Sequence, residues 1–213
     1  EGGDAPSGVV GGRREPMTEP TRERGAEQLV KKLHGDERHK NLLLASTLLG
    51  VFELLKSTVI LAPTNVIAPD TAGGRLVLSA FVKGKFRPAP SYKTRVMKGD
   101  RDAYRAAGRW LGEVECLTTE ESTTLLAIRD HRNDVAHELA SYLIDPSRQI
   151  NTLAIVDSHH LLTKVGRWSA RRSSEAFGGK SLGDVPDEEI EVGSVMIANL
   201  IIATLAERTE PRP

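Results

Sequence analysis

The stretch that decides the fold is residues 36–62, which read DERHKNLLLASTLLGVFELLKSTVILA. Apolar side chains recur on nearly every side of the helix that this stretch would form, which is typical of a helix buried inside a bundle. Glu53 and Lys56 lie near its centre, and each charge would cost roughly 2.5–3.5 kcal/mol in a bilayer. We therefore expect a core helix rather than a membrane span, ending at Pro63.

Four further helices are predicted from apolar periodicity and from start and stop signals. The clearest signal is a capping box, Thr118 with Glu121, which begins the second of the four. The four helices are expected at about 99–114, 118–145, 148–177 and 187–207, and a short helix is expected at 26–33.

The segments between these helices are of two kinds. Residues 1–25 lack periodic apolar positions and indicate a disordered arm. Residues 63–99 contain four prolines and indicate an irregular insert with a short hairpin across Lys83-Gly84-Lys85. The sequence therefore predicts one all-α domain over residues 26–213, a four- to five-helix bundle with its core at about 36–177.

Composition excludes several classes of protein. The 213 residues carry no net formal charge, so any nucleic-acid contact must come from a local patch. Cys116 is the only cysteine and no secretory signal is visible, so we expect a cytoplasmic protein. The six histidines lack zinc-type spacing, and there is no P-loop, nucleophile elbow or dinucleotide fingerprint. We expect neither a metal nor a cofactor.

A second informative stretch, residues 129–137, reads RDHRNDVAH. Arg132 falls within a stripe of aliphatic positions that have helical spacing and would face the core. The other members of the stripe are Leu125, Ile128, Val135, Leu139 and Tyr142. Because a buried guanidinium without a partner is costly, Arg132 needs a carboxylate such as Glu53 or Asp134, a subunit boundary, or an anionic ligand.

Asn133 and His137 lie on a second stripe of the same helix. They are one turn apart, so the amide of Asn133 could orient the imidazole. Arg132 and His137 are five residues apart, which separates them by about 140° around the helix. Two copies of the helix facing each other in a homodimer would combine them in one cleft.

The string Arg132-Asn133-Asp134-Val135-Ala136-His137 resembles the signature of the HEPN superfamily, in which Arg, a polar residue, a short spacer and His lie on a helix of a four- or five-helix bundle. The flanking residues 125–128 and 138–139 are also similar to the family. One toxin subgroup has Tyr two residues after the His, where this chain has Leu139, so the subfamily is left unassigned.

The resemblance implies a metal-independent endoribonuclease with a toxin or anti-phage defence role, which pairs as a dimer and could have an antitoxin or defence-system partner. Arg132 would stabilise the charge that develops on the scissile phosphate, and His137 would act as general acid or base. Asn133 would orient the histidine or contact phosphate. The product would carry a 2′,3′-cyclic phosphate.

A basic segment offers a surface for RNA. Between residues 83 and 109 nine basic residues alternate with aromatic ones, a pattern typical of phosphate-tracking and base-stacking surfaces. The aromatic residues are Phe86, Tyr92, Tyr104 and Trp110. The candidate RNA-binding residues are Lys83, Lys85, Arg87, Lys93 and Arg95. A solvated insert with no ligand would show the same pattern.

Two other functions remain open from the residues alone. The chain could be a HEPN-like module without catalysis that binds nucleic acid, a nucleotide or a protein, with Arg132 and His137 kept for structure. It could also be a purely structural helical interaction domain. An open basic groove lined by both residues would favour the enzyme, whereas burial of both in satisfied contacts would favour the other two.

Overall fold

The computed structural model describes residues 36–67, 70–72, 75–145, 147–176, 182 and 185–209. The expected arm, the short helix at 26–33 and most of the glycine-rich stretch after residue 176 lie outside the described residues. The rest is a helical bundle, so the all-α prediction is confirmed. Its helices are α1 Asp36–Leu61, α2 Pro90–Tyr92, α3 Ala103–Glu113, α4 Thr119–His137, α5 Leu139–Ile144, α6 Thr152–Ala176 and α7 Gly193–Thr209.

Helix α1 is the centre of the bundle. It packs most extensively against α6 and α7, and it also contacts α3, α4 and α5. This encirclement explains why its sequence is apolar on nearly all sides. By length and composition alone Arg38–Asn65 could cross a membrane, but in this fold its side chains form the middle of the hydrophobic core. The core side chains of α1 include Leu48, Val51, Phe52, Leu55 and Val59.

The insert contains more regular structure than the sequence indicates. Strands β1 Asp70–Ala72 and β2 Arg75–Val77 pair antiparallel, as do β3 Ala80–Val82 and β4 Lys85–Arg87. The second pair confirms the hairpin, and its turn residues Lys83 and Gly84 both have positive φ, as a two-residue hairpin turn requires. Residues 90–97, expected to be irregular, form α2 and a π-helical turn, Lys93–Met97.

Aromatic rings attach the β3–β4 hairpin to the core. Phe86 of β4 packs edge-on against Tyr92 of α2, with ring centroids 5.0 Å apart. The Tyr92 hydroxyl donates to the Ile60 carbonyl at 2.8 Å, near the C-terminal end of α1. The insert is therefore fixed to the end of the central helix.

Three helices begin later than expected. Lys98 and Gly99 have positive φ, and α3 begins only after Asp102, whose carboxylate accepts from the backbone N–H of Tyr104 and Arg105. Helix α6 begins at Thr152 instead of residue 148. Helix α7 begins at Gly193, because Asp187–Glu189 form a separate 3₁₀ turn.

The motif helix begins as predicted and ends early. Both bonds of the Thr118–Glu121 capping box are formed. One continuous helix up to residue 145 was expected, but the chain leaves the helix at Glu138 and resumes as α5. The Tyr142 hydroxyl donates to Asp134 Oδ2 at 2.5 Å. Residues eight apart are separated by about 12 Å along a straight helix, so this bond requires the bend.

Candidate functional site

Arg132 lies where α4 packs against α1. Its Nη2 donates to Glu53 Oε1 at 2.5 Å, and its guanidinium carbon lies 5.3 Å from the centroid of the Phe52 ring. The side chain is 26% exposed, whereas Leu125, Ile128 and Val135 of the same helix are fully buried. Glu53 is thus the carboxylate partner that the sequence requires for an arginine at this position.

The guanidinium of Arg132 has five N–H donors, and the buried donor at Nε has no acceptor among the described residues. Arg132 Nη1 donates to Asn133 Oδ1 at 3.2 Å, and Nη2 donates to Glu53. The Nε–Nη2 edge of Arg132 can hold an anion through two parallel hydrogen bonds, and the carboxylate of Glu53 uses one of them.

Asn133 does not have the partner that was expected. Its amide oxygen accepts from Arg132, and no hydrogen bond to His137 is formed among the described residues. The one-turn spacing permits either contact, and the adjacent guanidinium is the stronger donor because it is charged. Asn133 therefore helps to hold Arg132.

His137 is the last residue of α4 and is exposed. Its side chain makes no hydrogen bond or ion pair with the described residues. Arg132 is directed towards α1 and His137 towards solvent. One chain therefore presents the two residues on different sides of α4, as their spacing predicts.

A polar cluster that the sequence did not reveal fixes the end of the motif helix. Burial and a hydrogen bond to Asp134 raise the pKa of Tyr142, and its ring lies between His131 and Arg148. His131 Nε2 accepts from the backbone N–H of Asn151 at 3.1 Å, and burial lowers the pKa of this histidine. These contacts join α4 to α5 and to the residue that precedes α6. In the sequence the members of the cluster lie both before and after His137.

The insert presents five exposed basic side chains, which we call the hairpin basic surface: Lys83, Lys85, Arg87, Lys93 and Arg95. None of the five makes an ion pair with the residues that the structure describes. Most of the basic residues that follow are paired, because Lys98 lies 2.7 Å from Glu113, and Arg105 and Arg109 lie 2.8 and 3.7 Å from Asp100. Arg101 is exposed and has no ion pair among the described residues. Positive charge is therefore uncompensated on the hairpin side of the segment.

The aromatic part of the basic-segment prediction is wrong. Tyr92, Tyr104 and Trp110 are buried, and each packs on another aromatic ring. They are unavailable for stacking on bases, and Phe86 is half-buried. The accessible ring is Phe81 of β3, which is 37% exposed and packs on Phe86 across the hairpin at 5.4 Å.

A groove of about 420 Å³ lies between α3 and the first turns of α4. Its walls are mostly apolar, and Arg105 and Arg109 at its edge are already bonded to Asp100. The motif residues belong to the opposite end of α4 and do not line this groove. This groove and the motif are therefore separate features.

Cys116 is buried, as expected for a core residue, and burial raises the pKa of its thiol to about 12. Among the side chains that the structure describes, no three from His, Cys, Asp and Glu are grouped as metal ligands. No family model, curated protein or solved structure matches the chain significantly.

Proposed function

We propose that the protein is a metal-independent endoribonuclease of the HEPN type. The observation that carries this proposal is the arrangement on α4: a partly exposed Arg132 whose buried Nε has no acceptor among the described residues, and an exposed His137 at the helix end. An arginine that can bind a phosphate and a histidine that can exchange a proton are the two groups that RNA transesterification needs.

The reaction needs no metal-activated water. The ribose 2′-oxygen attacks the adjacent phosphorus, the bond from phosphorus to the 5′-oxygen breaks, and a 2′,3′-cyclic phosphate and a 5′-hydroxyl are formed. His137 takes the proton from the 2′-hydroxyl or gives one to the leaving oxygen. Arg132, held in orientation by Asn133 and Phe52, stabilises the charge on the phosphate oxygens.

A homodimer would complete this site, because one chain directs Arg132 and His137 to different sides of α4. Much of α1 is covered by its own chain, so an interface that includes α1 is restricted to a few positions. Between residues 41 and 61 it exposes only Leu42, Ser46 and Glu53. These three share one stripe of the helix, and Glu53 is the partner of Arg132. A two-fold contact along this stripe would adjoin the motif.

The hairpin basic surface is the proposed RNA-binding surface. Its five cations have no anionic partner in the described part of the chain, so phosphates can bind them without breaking an ion pair. Tyr92 attaches the insert at Ile60, seven residues from Glu53. That separation is about 10 Å along the α1 axis, so the insert is attached to the same helix that holds the partner of Arg132.

One observation favours the alternative of a HEPN-like module without catalysis. Glu53 already satisfies one donor of Arg132 within the chain, so the arginine could be kept for structure. Such a module would bind a nucleic acid, a nucleotide or a protein partner. A toxin or anti-phage role belongs to the enzyme proposal, because it depends on RNA cleavage.

Substitution of His137 by Ala tests the proposal. Because His137 is exposed and makes no side-chain bond, the variant should fold like the wild type and lose about 10²–10⁴ of the cleavage rate on total RNA. The control is His160→Ala, an exposed histidine of α6. Retained cleavage by a folded His137→Ala protein would exclude the assignment.

A further inference from the structure

The contact between Arg132 and Glu53 leaves an anion site half-filled. An arginine commonly holds a carboxylate or phosphate through two parallel hydrogen bonds along its Nε–Nη2 edge. Here Glu53 Oε1 takes Nη2, while Nε is buried and has no acceptor among the described residues. Because a buried donor without a partner is unfavourable, an anion that engaged both nitrogens would satisfy Arg132 better than Glu53 does.

The Glu53 carboxylate keeps other stabilising contacts when it moves away from Arg132. Its side chain is 49% exposed, so its carboxylate can be hydrated when it moves away. Its second oxygen, Oε2, accepts from Lys56 Nζ at 3.3 Å, one turn further along α1. The ammonium of Lys56 can therefore remain the counter-ion of Glu53 after the bond to Arg132 is broken.

Arg132 keeps its position without Glu53. The guanidinium lies over the Phe52 ring, and Nη1 is held by Asn133. A phosphodiester and the Glu53 carboxylate cannot both occupy the same guanidinium edge, because two anions in contact repel each other strongly at a protein surface. Phosphate binding and the Glu53 contact are therefore mutually exclusive.

We propose that the Glu53 carboxylate occupies the position of the substrate phosphate, at the Nε–Nη2 edge of Arg132, in the free protein. A phosphodiester of RNA displaces the carboxylate from this edge when the substrate binds. This inference rests on the proposed function of Arg132 as the phosphate-binding residue. Glu53 thereby sets the affinity of the site, since every binding event must first break its bond to Arg132.

Binding to a short RNA in which every 2′-hydroxyl is methylated tests the displacement, because this RNA keeps its phosphates and cannot be cleaved. Glu53→Gln should bind it about two- to fivefold more tightly than the wild type, the factor that a half-exposed ion pair contributes. Glu175→Gln is the matched control, because it removes the same charge from an exposed ion pair with Arg172 on α6. It should change affinity less.

Measuring Glu53→Gln in a protein that also carries Arg132→Gln shows whether the gain in affinity depends on the arginine. There, Glu53→Gln should give no gain, since no guanidinium edge remains to be released. In cleavage assays Glu53→Gln should lower KM and leave kcat unchanged. Glu53→Asp keeps the charge on a shorter side chain, so its KM should lie between those of the wild type and Glu53→Gln.

Three results would overturn the displacement: unchanged or weaker binding by Glu53→Gln, an equal gain with Glu175→Gln, or a gain that persists with Arg132→Gln. The proposed function fails differently, when Arg132→Gln by itself binds the methylated RNA as the wild type does. A thermal melt of each variant establishes that the binding values refer to folded protein.

Discussion

Substitution of Tyr142 by Phe should loosen the end of the motif helix. The change removes the hydroxyl that donates to Asp134 at 2.5 Å and keeps the buried ring with its contacts to His131 and Arg148. A hydrogen bond to a charged group contributes about 1.5–3 kcal/mol. Asp134 is 47% exposed and can be rehydrated, so we expect a loss of about 1–2 kcal/mol in the free energy of unfolding.

The assay is thermal and urea unfolding, supported by amide hydrogen exchange. For a chain of this length, the expected loss corresponds to a fall in Tm of about 2–8 °C. Amides in the last turn of α4 and in α5 should exchange faster, because the bond to Asp134 is what holds the two helices at their bend.

Two comparisons isolate the bond. Asp134→Ala, which removes the acceptor and also the 4.0 Å ion pair with Arg148, should destabilise by at least as much, and its combination with Tyr142→Phe should cost less than the sum of the two single changes. Ser141→Ala removes only an exposed 3.3 Å contact with Glu138 and should lie within about 0.5 kcal/mol of the wild type. A Tyr142→Phe protein that unfolds and exchanges like the wild type would refute the assigned cause of the bend.

Three further outcomes are expected. RNA cleavage should persist in EDTA, because no cluster of metal-ligand side chains occurs among the described residues, and an absolute need for added Mg²⁺ or Mn²⁺ would refute the proposed chemistry. The triple replacement of Lys83, Lys85 and Arg87 by Gln should weaken RNA binding. It should also reduce the slope of log affinity against log salt concentration by about 2, since each phosphate contact on a single strand contributes about 0.7. An unchanged slope would show that the hairpin basic surface does not contact RNA phosphates. Light scattering at micromolar concentration should report a dimer, and an active monomer at the same concentration would exclude a site shared between two chains.

Features with a local cause could be predicted from the sequence. The central helix follows from apolar residues on all its sides, the start of α4 from Thr118 and Glu121, and the hairpin from the short Lys83-Gly84 connection. The pairing of Arg132 with Glu53 could be named as an alternative, because a buried guanidinium needs a carboxylate.

Features set by tertiary contacts could not be predicted. The bend at Glu138 has no proline or glycine to signal it and depends on a bond between side chains eight residues apart. The burial of Tyr92 and Tyr104 depends on how the insert and α3 pack on α1, and alternation with basic residues in the sequence does not report it. The hydrogen bond of Asn133 to Arg132, rather than to His137, likewise depends on side-chain positions that the sequence does not specify.

The central place of α1 has a consequence for synthesis. Helix α1 is the first of the described helices, whereas the two helices that cover most of it, α6 and α7, are translated after the other described helices. Until they emerge from the ribosome, the apolar side chains of this 26-residue helix have no stable cover, and exposed apolar surface of this kind promotes aggregation. We expect truncation before residue 152 to yield insoluble protein, and we expect the nascent chain to depend on chaperones until its C-terminal helices dock.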